Sequence, residues 1–507
     1  MIRKIQDIFK KNENRIFIIE DSYGCSTITY GDFYRLIGHS VSLLEQFNVR
    51  KGDIVAAVLT NSTEFAALYF ACIYKGCVIL PINLNIHADE IKHILNSNTI
   101  KLLVYSLCTR SVVMNVSSSI NCKSIMILMR HEEFNHPEED DHVSLLDLEP
   151  VALHDRNSDN SMFSITFTSG TTSMPKGIIH SIENWFGNAE SFNKAMGFGR
   201  ENRFLHIWPM AYSTGFLNTL VSPFLAEGSV VLRPIFDSNT IIDFWSPVLR
   251  HQINTFWLAP SMLSALNRVD KDPKGIDYCK NQKVTFCVGT APLPVKVRNE
   301  FQNKYGVRIF ESYGLSELLL ISSEIPSKED NPSVGKLLPC VEIKVKNKKA
   351  DASNGEGEIF VKTPWQCLGY MNDSLRDEID YFDTGDMGYL DENENLHISG
   401  RTKDIIIRGG LNISPKSIEE VILQHSKVEE VAVFGIQHEF YGEKIIAAVK
   451  LLPGYRIEEE SSSILELCRK KLNTYSVPTS IIQVNDFPRN SSGKIKKSKL
   501  RDEYLKT

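Results

Sequence analysis

The sequence predicts an α/β fold: a large N-terminal body of layered sheets and helices, followed by a small C-terminal α+β domain. Three observations predict it. Apolar runs of strand length alternate with helical patterns through most of the chain, which is the signature of sheets covered by helices. From Ser399 onward the chain becomes more charged and is built from shorter elements. The length of 507 residues exceeds the roughly 100 to 200 residues of one ordinary domain.

Met1 to Lys11 sets apolar residues at helical spacing with charges between them and has no continuous apolar stretch of the kind a secretion signal needs, so a cytoplasmic protein is expected. Gly52–Leu59 reads as a buried strand, Ser62–Tyr74 as a helix with Ser62 at its N-cap, and Cys77–Ile82 as the next strand, together a βαβ unit. Ile100–Tyr105, Ser229–Leu232 and Val284–Val288 continue the alternation. The longest apolar run, Phe65–Tyr74, falls well short of the roughly 18 residues that cross a bilayer. His131 to Asn160 is acidic, lacks periodicity and reads as surface connection. Near the end, Asp404–Ile407 reads as a strand and Arg408 to Asn412 as a turn with unusual backbone angles. Ser414–Pro415 reads as the cap of a helix to about His425, with strands at Glu430–Gly435 and Lys444–Leu451. The polar junction Ser399–Asp404 divides residues 1–402 from 403–507.

A formal net charge of -6 over this length argues against a nucleic-acid or anionic-membrane surface and leaves small molecules or proteins as partners. The ten cysteines contain no Cys-x-x-Cys pair and no companion histidines at zinc spacing. They are expected reduced and mostly buried, Cys72, Cys77 and Cys287 among them.

The segment Thr168-Ser169-Gly170-Thr171-Thr172-Ser173-Met174-Pro175-Lys176-Gly177 packs hydroxyls, glycines and a lysine behind the alternating strand Phe163–Phe167. Backbone N–H groups, hydroxyls and the Lys176 ammonium can together neutralise phosphate oxygens, which points to ATP. It is not a P-loop, because Pro175 and Gly177 stand where Gly and Ser or Thr are required. A polar surface loop is the plainer alternative.

Three further segments carry chemistry. Glu311-Ser312-Tyr313-Gly314-Leu315-Ser316-Glu317 offers a ring for adenine, hydroxyls for phosphate and a carboxylate for Mg²⁺, although such a turn also arises without function. Tyr381 to Tyr389 holds Asp386 beside a glycine turn, suited to a ribose diol, with Arg401 following; an Asp-rich hairpin is the alternative. Pro488 to Lys496 is a basic end that on charge alone reads as solvated surface.

The four segments, in this order and at these separations, resemble the adenylate-forming superfamily of acyl-CoA synthetases, adenylation domains and beetle luciferases, over nearly the whole chain. The chain departs from the family pattern at Ser173, where Gly is usual, and at Ser316, where Thr is commoner. The resemblance implies that the small domain is mobile about Lys403, that Lys494 bridges the acid carboxylate and the α-phosphate, and that Asp386 with Arg401 holds ribose. It implies a thiol channel lined by Gly409 and Gly410, and an acyl pocket walled by Tyr212, Phe216, Gly289, Thr290 and Ala291. Thr290 stands where Gly is frequent, so its side chain either shortens the pocket or turns away. The implied activity joins a carboxylic acid to CoA at the expense of ATP with Mg²⁺. Loading of a separate carrier protein's pantetheine thiol is the alternative, a nucleotide-binding regulatory module and luciferase-like oxidation stand further off, and a homodimer is left open. No Asp lies between Trp208 and Phe216 to pair with an ammonium, so an α-amino acid is disfavoured.

Overall fold

The computed structural model describes all residues except 22–24, 85, 87, 118–121, 130–141, 154–160, 169–175, 327–332, 347–354, 374, 377–378, 409–410, 439–440, 490–493 and 507. The predicted βαβ unit is present: strand Ile54–Val58, helix Thr63–Lys75 and strand Val78–Pro81, with the two strands parallel. The local chemistry explains the helix. Ser62 caps it by accepting from the Phe65 N–H at 3.1 Å, and Gly76 stops it in the left-handed conformation at φ 73°. The interior is apolar on every side because the helix lies inside the large hydrophobic cluster, and Phe65 to Tyr74 is buried throughout.

Among the described residues the strands form four sheets. One runs in the order Gly369–Tyr370, Lys176–Ser181, Met162–Thr168, Val78–Pro81, Ile54–Val58, Ile100–Ser106, Lys123–Leu128, His142–Ser144. A longer one begins Lys336–Leu337, Leu319–Ser323, Ile309–Leu315, Thr285–Val288, Thr255–Leu258 and ends at the N-terminal strands Ile16–Asp21 and Cys25–Thr29. One hydrophobic cluster, running from Ile2 to Leu396, packs around both. The amphipathic helix Ile2–Lys11 joins it through Phe9, whose ring meets Tyr30, Phe33, Phe70 and Phe224. An antiparallel sheet of Glu342–Lys346, Gly357–Lys362, Phe382–Leu390 and Leu396–Arg401 is added to this body.

The chain after residue 405 builds its own sheet and its own cores. Strands Ile406–Arg408, Leu411–Ile413, Val428–His438, Gly442–Leu451 and Ser480–Gln483 pair together. One face is covered by helices Pro415–Ile422 and Ile457–Lys471 through Ile418, Ile422, Ile464 and Cys468. The other carries Phe434, Ile446, Phe487 and Leu500.

Several local expectations are corrected. Asp404 lies in a 3-10 turn, Thr402–Asp404, and the strand starts at Ile406. Ser414 does not cap its helix; its hydroxyl donates to the Ser399 carbonyl at 2.6 Å, and the helix ends at Ile422 rather than near His425. The Glu311 to Leu315 segment is strand rather than turn. Within His131 to Asn160, the described residues include strand His142–Ser144. Cysteines 72, 77, 279, 287, 367 and 468 are buried and all ten are free, and burial pushes the Cys367 and Cys468 thiols up to about 11. Among the described residues no helix is long and apolar enough to cross a membrane.

Replacing Ser62 with Ala orphans the Phe65 N–H and is expected to cost about 1 kcal/mol, read as a lower denaturation midpoint in urea with an unchanged m-value.

Candidate active site

Asp386 is the centre from which the site is built. It sits in strand Phe382–Leu390 directly opposite Arg401 on the neighbouring strand, so the sheet register alone brings the pair together. The Arg401 Nε donates to Asp386 Oδ1 at 3.0 Å and the Tyr313 hydroxyl donates to Oδ2 at 2.6 Å. A third contact fixes the backbone: the Asp386 N–H donates to Thr384 Oγ1 at 3.1 Å, and that hydroxyl donates to the Ile359 carbonyl. The carboxylate is 4% exposed. Burial and the neighbouring Asp386 charge hold the Tyr313 hydroxyl firmly protonated. Each Asp386 oxygen keeps a further lone pair, which is what a ribose diol requires.

Tyr313 comes from strand Ile309–Leu315, where alternate residues face opposite ways. Ser312 therefore points away from Asp386, and its hydroxyl pairs with Ser323 at 2.8 Å in the core. Glu311 shares Tyr313's side of the strand but turns toward Arg298 at 3.8 Å and accepts from the Leu293 N–H. Gly314 must be glycine, because a Cβ there would lie 2.1 Å from the Leu319 carbonyl oxygen. The hairpin between Leu315 and Leu319 presents Ser316 and Glu317.

Glu317 and Lys176 are joined through a residue that sequence reasoning missed. Tyr370 donates to Glu317 Oε1 at 3.1 Å, and the Lys176 ammonium lies 5.4 Å from the centre of its ring. Tyr370 has no motif of its own. It reaches the site because Gly369–Tyr370 pairs with Ile178 and Ile179 of the strand that Lys176 begins. That strand is antiparallel to Met162–Thr168, with Lys176 opposite Thr168. Thr168 closes the first strand; Ser169, Gly170, Thr171 and Thr172 lie outside the described residues, as do Gly409 and Gly410.

Lys494, from the far end of the chain, arrives at the same cleft. The residue as a whole is exposed, but burial around its ammonium lowers the pKa to about 8, helped by the Arg401 charge and opposed by Asp386 and Glu317. The structure thus brings together Tyr313, Glu317, Asp386, Arg401 and Lys494, with Lys176 one ring away. Lys403 lies exposed in the turn between the two cores.

The residues expected to wall an acyl pocket fall into two groups. Trp208 stacks on Tyr212, ring centres 6.1 Å apart, and its Nε1 donates to the Trp257 carbonyl. Gly289 is close by, since a Cβ there would sit 3.5 Å from Trp257 Cζ2, and Ala291 follows. Phe216, by contrast, is buried against Tyr69, Phe163 and Trp185, and stacks on Tyr69 at 4.1 Å. Thr290 has φ 74°, a left-handed conformation that a β-branched residue occupies only under strain, and its buried Oγ1 has no hydrogen-bond partner among the described residues.

This fold and this site define an adenylate-forming enzyme. The chain belongs to the AMP-binding enzyme family: residues 5–371 match that family, and residues 417–494 match the AMP-binding enzyme C-terminal domain. It is similar to the long-chain-fatty-acid–CoA ligase FadD13 of Mycobacterium tuberculosis, 28% identical over 500 residues, covering 95% of this chain and 94% of the relative. Its structure is similar to ATP-bound MatB from Rhodopseudomonas palustris, with a TM-score of 0.85 at 27% identity, covering 99% of this chain and 98% of that one. Against apo MatB, at the same identity and coverage, the TM-score is 0.75.

If Lys494 acts as a cation, its lowered pKa sets an alkaline limit. The ammonium is charged below about pH 8 and lost above it, so kcat/KM for acid-dependent ATP–pyrophosphate exchange is expected to fall as pH rises through that value. Lys494→Arg keeps its charge over this range, and whatever activity remains should lack the alkaline fall.

Proposed function

We propose that this chain is an ATP-dependent carboxylic acid–CoA ligase that works through an acyl-AMP intermediate. The observation that supports this most directly is the convergence of Lys494 on Glu317, Asp386 and Arg401. A cation beside ribose-type and metal-type carboxylates is what attack at an α-phosphate needs.

In the first step a carboxylate oxygen of the acid bonds to the α-phosphorus of ATP, and the bond to the β-phosphate oxygen breaks, releasing pyrophosphate. Lys494 neutralises charge as it builds on the α-phosphate and entering carboxylate, and Lys176 with Thr168 meets the departing phosphates, a role also expected of Ser169, Gly170, Thr171 and Thr172. Asp386 accepts from the ribose hydroxyls while Tyr313 and Arg401 hold it in place. One Glu317 oxygen is engaged by Tyr370, which leaves the other for Mg²⁺, a cation that binds through one or two carboxylates plus phosphate oxygens. Bound there, the metal would supply charge neutralisation to the phosphates. In the second step a thiolate sulfur bonds to the acyl carbon and AMP leaves with the bonding electrons, the thiol proton having passed to solvent. CoA is the favoured thiol, on the similarity to a CoA ligase such as FadD13; a carrier-protein thiol is the second reading.

We further infer a domain boundary between residues 402 and 403, supported by the separate cores on either side and by the gap between the two family matches. Lys403 is the pivot in this reading, and Gly409 and Gly410 line the thiol path. The higher likeness to ATP-bound than to apo MatB supports an arrangement of the two units suited to the first step.

Three measurements test the reading. Purified protein with Mg²⁺ and a panel of carboxylic acids should convert ATP to AMP and pyrophosphate, with CoA thioester formed; ADP and phosphate as products would exclude it. Acids without an α-amine should be preferred, a preference overturned by an amino acid emerging as the best substrate. Lys494→Ala should lose adenylation by about 10²-fold or more yet still form thioester from supplied acyl-AMP, and Gly410→Leu should show the reverse pattern.

A further inference from the structure

A strap of chain, residues 365–371, ties the hairpin that presents Glu317 to the strand that Lys176 begins. It leaves the antiparallel sheet after Gly357–Lys362, and its first residue, Trp365, is buried against helix Ile182–Met196, where Gly187 leaves room for the indole. Main-chain bonds then fasten it on two sides. The Cys367 N–H donates to the Glu317 carbonyl at 2.7 Å, the Leu368 N–H to the Ile179 carbonyl at 2.8 Å, and the Met371 N–H to the Gly177 carbonyl at 2.7 Å. The Arg376 N–H closes the strap by donating to the Leu368 carbonyl at 2.8 Å. Tyr370 stands within this frame, opposite Ile178 in the sheet register, so the backbone alone holds its Cα. Its hydroxyl donates to Glu317 Oε1 at 3.1 Å, and the Lys176 ammonium lies 5.4 Å from the centre of its ring. Ring and hydroxyl form one rigid plane carried on two torsions, so neither contact shifts without the other. One side chain thus spans the carboxylate suited to a metal and the cation suited to departing phosphates.

We propose that Tyr370 is a positioning residue for the first half-reaction: its hydroxyl turns the Glu317 carboxylate so that the other oxygen is presented to Mg²⁺, and its ring seats the Lys176 ammonium. One triphosphate then meets metal and lysine at a set separation. Tyr370 itself touches neither phosphate nor acid in this scheme. The hydroxyl acts because Glu317 reaches from a hairpin on a side chain with several torsions, and a donor on one oxygen removes much of that freedom before the metal arrives. The ring acts because a cation over an aromatic face is attracted to it while its N–H groups stay available for phosphate. The strap makes the two effects one device, since the backbone that fixes Tyr370 is bonded to Glu317 on one side and to the strand of Lys176 on the other. The catalytic part of this inference rests on the ligase reading above.

Two variants separate the contacts: Tyr370→Phe keeps the ring and removes the hydroxyl, and Tyr370→Leu removes both. In Tyr370→Phe the Mg²⁺ concentration that gives half-maximal acid-dependent ATP–pyrophosphate exchange should rise about ten-fold, the usual cost of losing a group that orients a metal-binding carboxylate. A readout without catalysis uses α,β-methylene-ATP, which cannot release pyrophosphate. Mn²⁺ binding to the complex of protein and this analogue, followed by electron paramagnetic resonance, should weaken by about the same ten-fold factor in Tyr370→Phe. Adding Tyr370→Phe to Glu317→Gln should weaken it no further, because the carboxylate that the hydroxyl orients is already gone. In EDTA the affinity for the analogue should be at the wild-type value in Tyr370→Phe and about three-fold lower in Tyr370→Leu, which has lost the seat for Lys176. Combining Tyr370→Leu with Lys176→Met should be no worse than Lys176→Met alone. A merely structural tyrosine would lower the urea midpoint and the exchange rate at saturating Mg²⁺ while leaving both metal affinities at wild-type values, and that result overturns the proposal. Should the wild type activate no acid at all, the ligase reading falls and the Mn²⁺ comparison alone decides the positioning role. A wild type that holds no Mn²⁺ in the analogue complex overturns both.

Discussion

The Asp386 carboxylate and its two donors are the contact on which the site depends. Tyr313 lies on the large sheet, Asp386 on the added antiparallel sheet, and Arg401 immediately before the turn into the C-terminal unit. A buried carboxylate with a missing donor would carry a desolvation penalty that nothing else nearby offsets. The requirement to satisfy one charge thus fixes the mutual placement of three pieces of chain. Glu317 and Lys494 are then aimed from elements whose positions that constraint has already set.

The same logic separates what was legible in the sequence from what was not. Asp386, Arg401, Tyr313 and Glu317 could be singled out because each lies in a short run whose residue types suit nucleotide chemistry, and the βαβ unit from Ile54 to Pro81 was readable because apolar pattern, N-cap and terminating glycine all agree. Tyr370 could not be found that way. Its role is created by a two-residue strand pairing with Ile178 and Ile179, and no local pattern records a partner 53 positions from Glu317. Ser414 misled for the opposite reason: a serine before Pro415 suits a cap, but a tertiary acceptor at Ser399 took its hydroxyl. Ser312 lost its expected place because the segment proved to be strand, where alternation sends it into the core.

Charge is handled differently in the two halves of the cleft. The Asp386 half is closed and satisfied, with each oxygen engaged by a donor. At Lys494 the cation is destabilised by burial and by Arg401. A polyanion entering between them relieves the second half without disturbing the first. On the ligase reading the ammonium gains from phosphate, since the cost of holding two cations near each other is released when negative charge arrives.

Thr290, expected to wall the acyl pocket, stands on a backbone with unusual latitude. At most positions a change to glycine only adds disorder to the unfolded chain, whereas here the backbone already has the shape glycine prefers, at φ 74°, and the side chain leaves a buried hydroxyl without a partner among the described residues. Removing that side chain would release backbone strain and a desolvated oxygen together. On the reading that Thr290 walls the acid's pocket, it is a starting point for admitting bulkier acids at which enlarging the pocket and relaxing the scaffold run in the same direction.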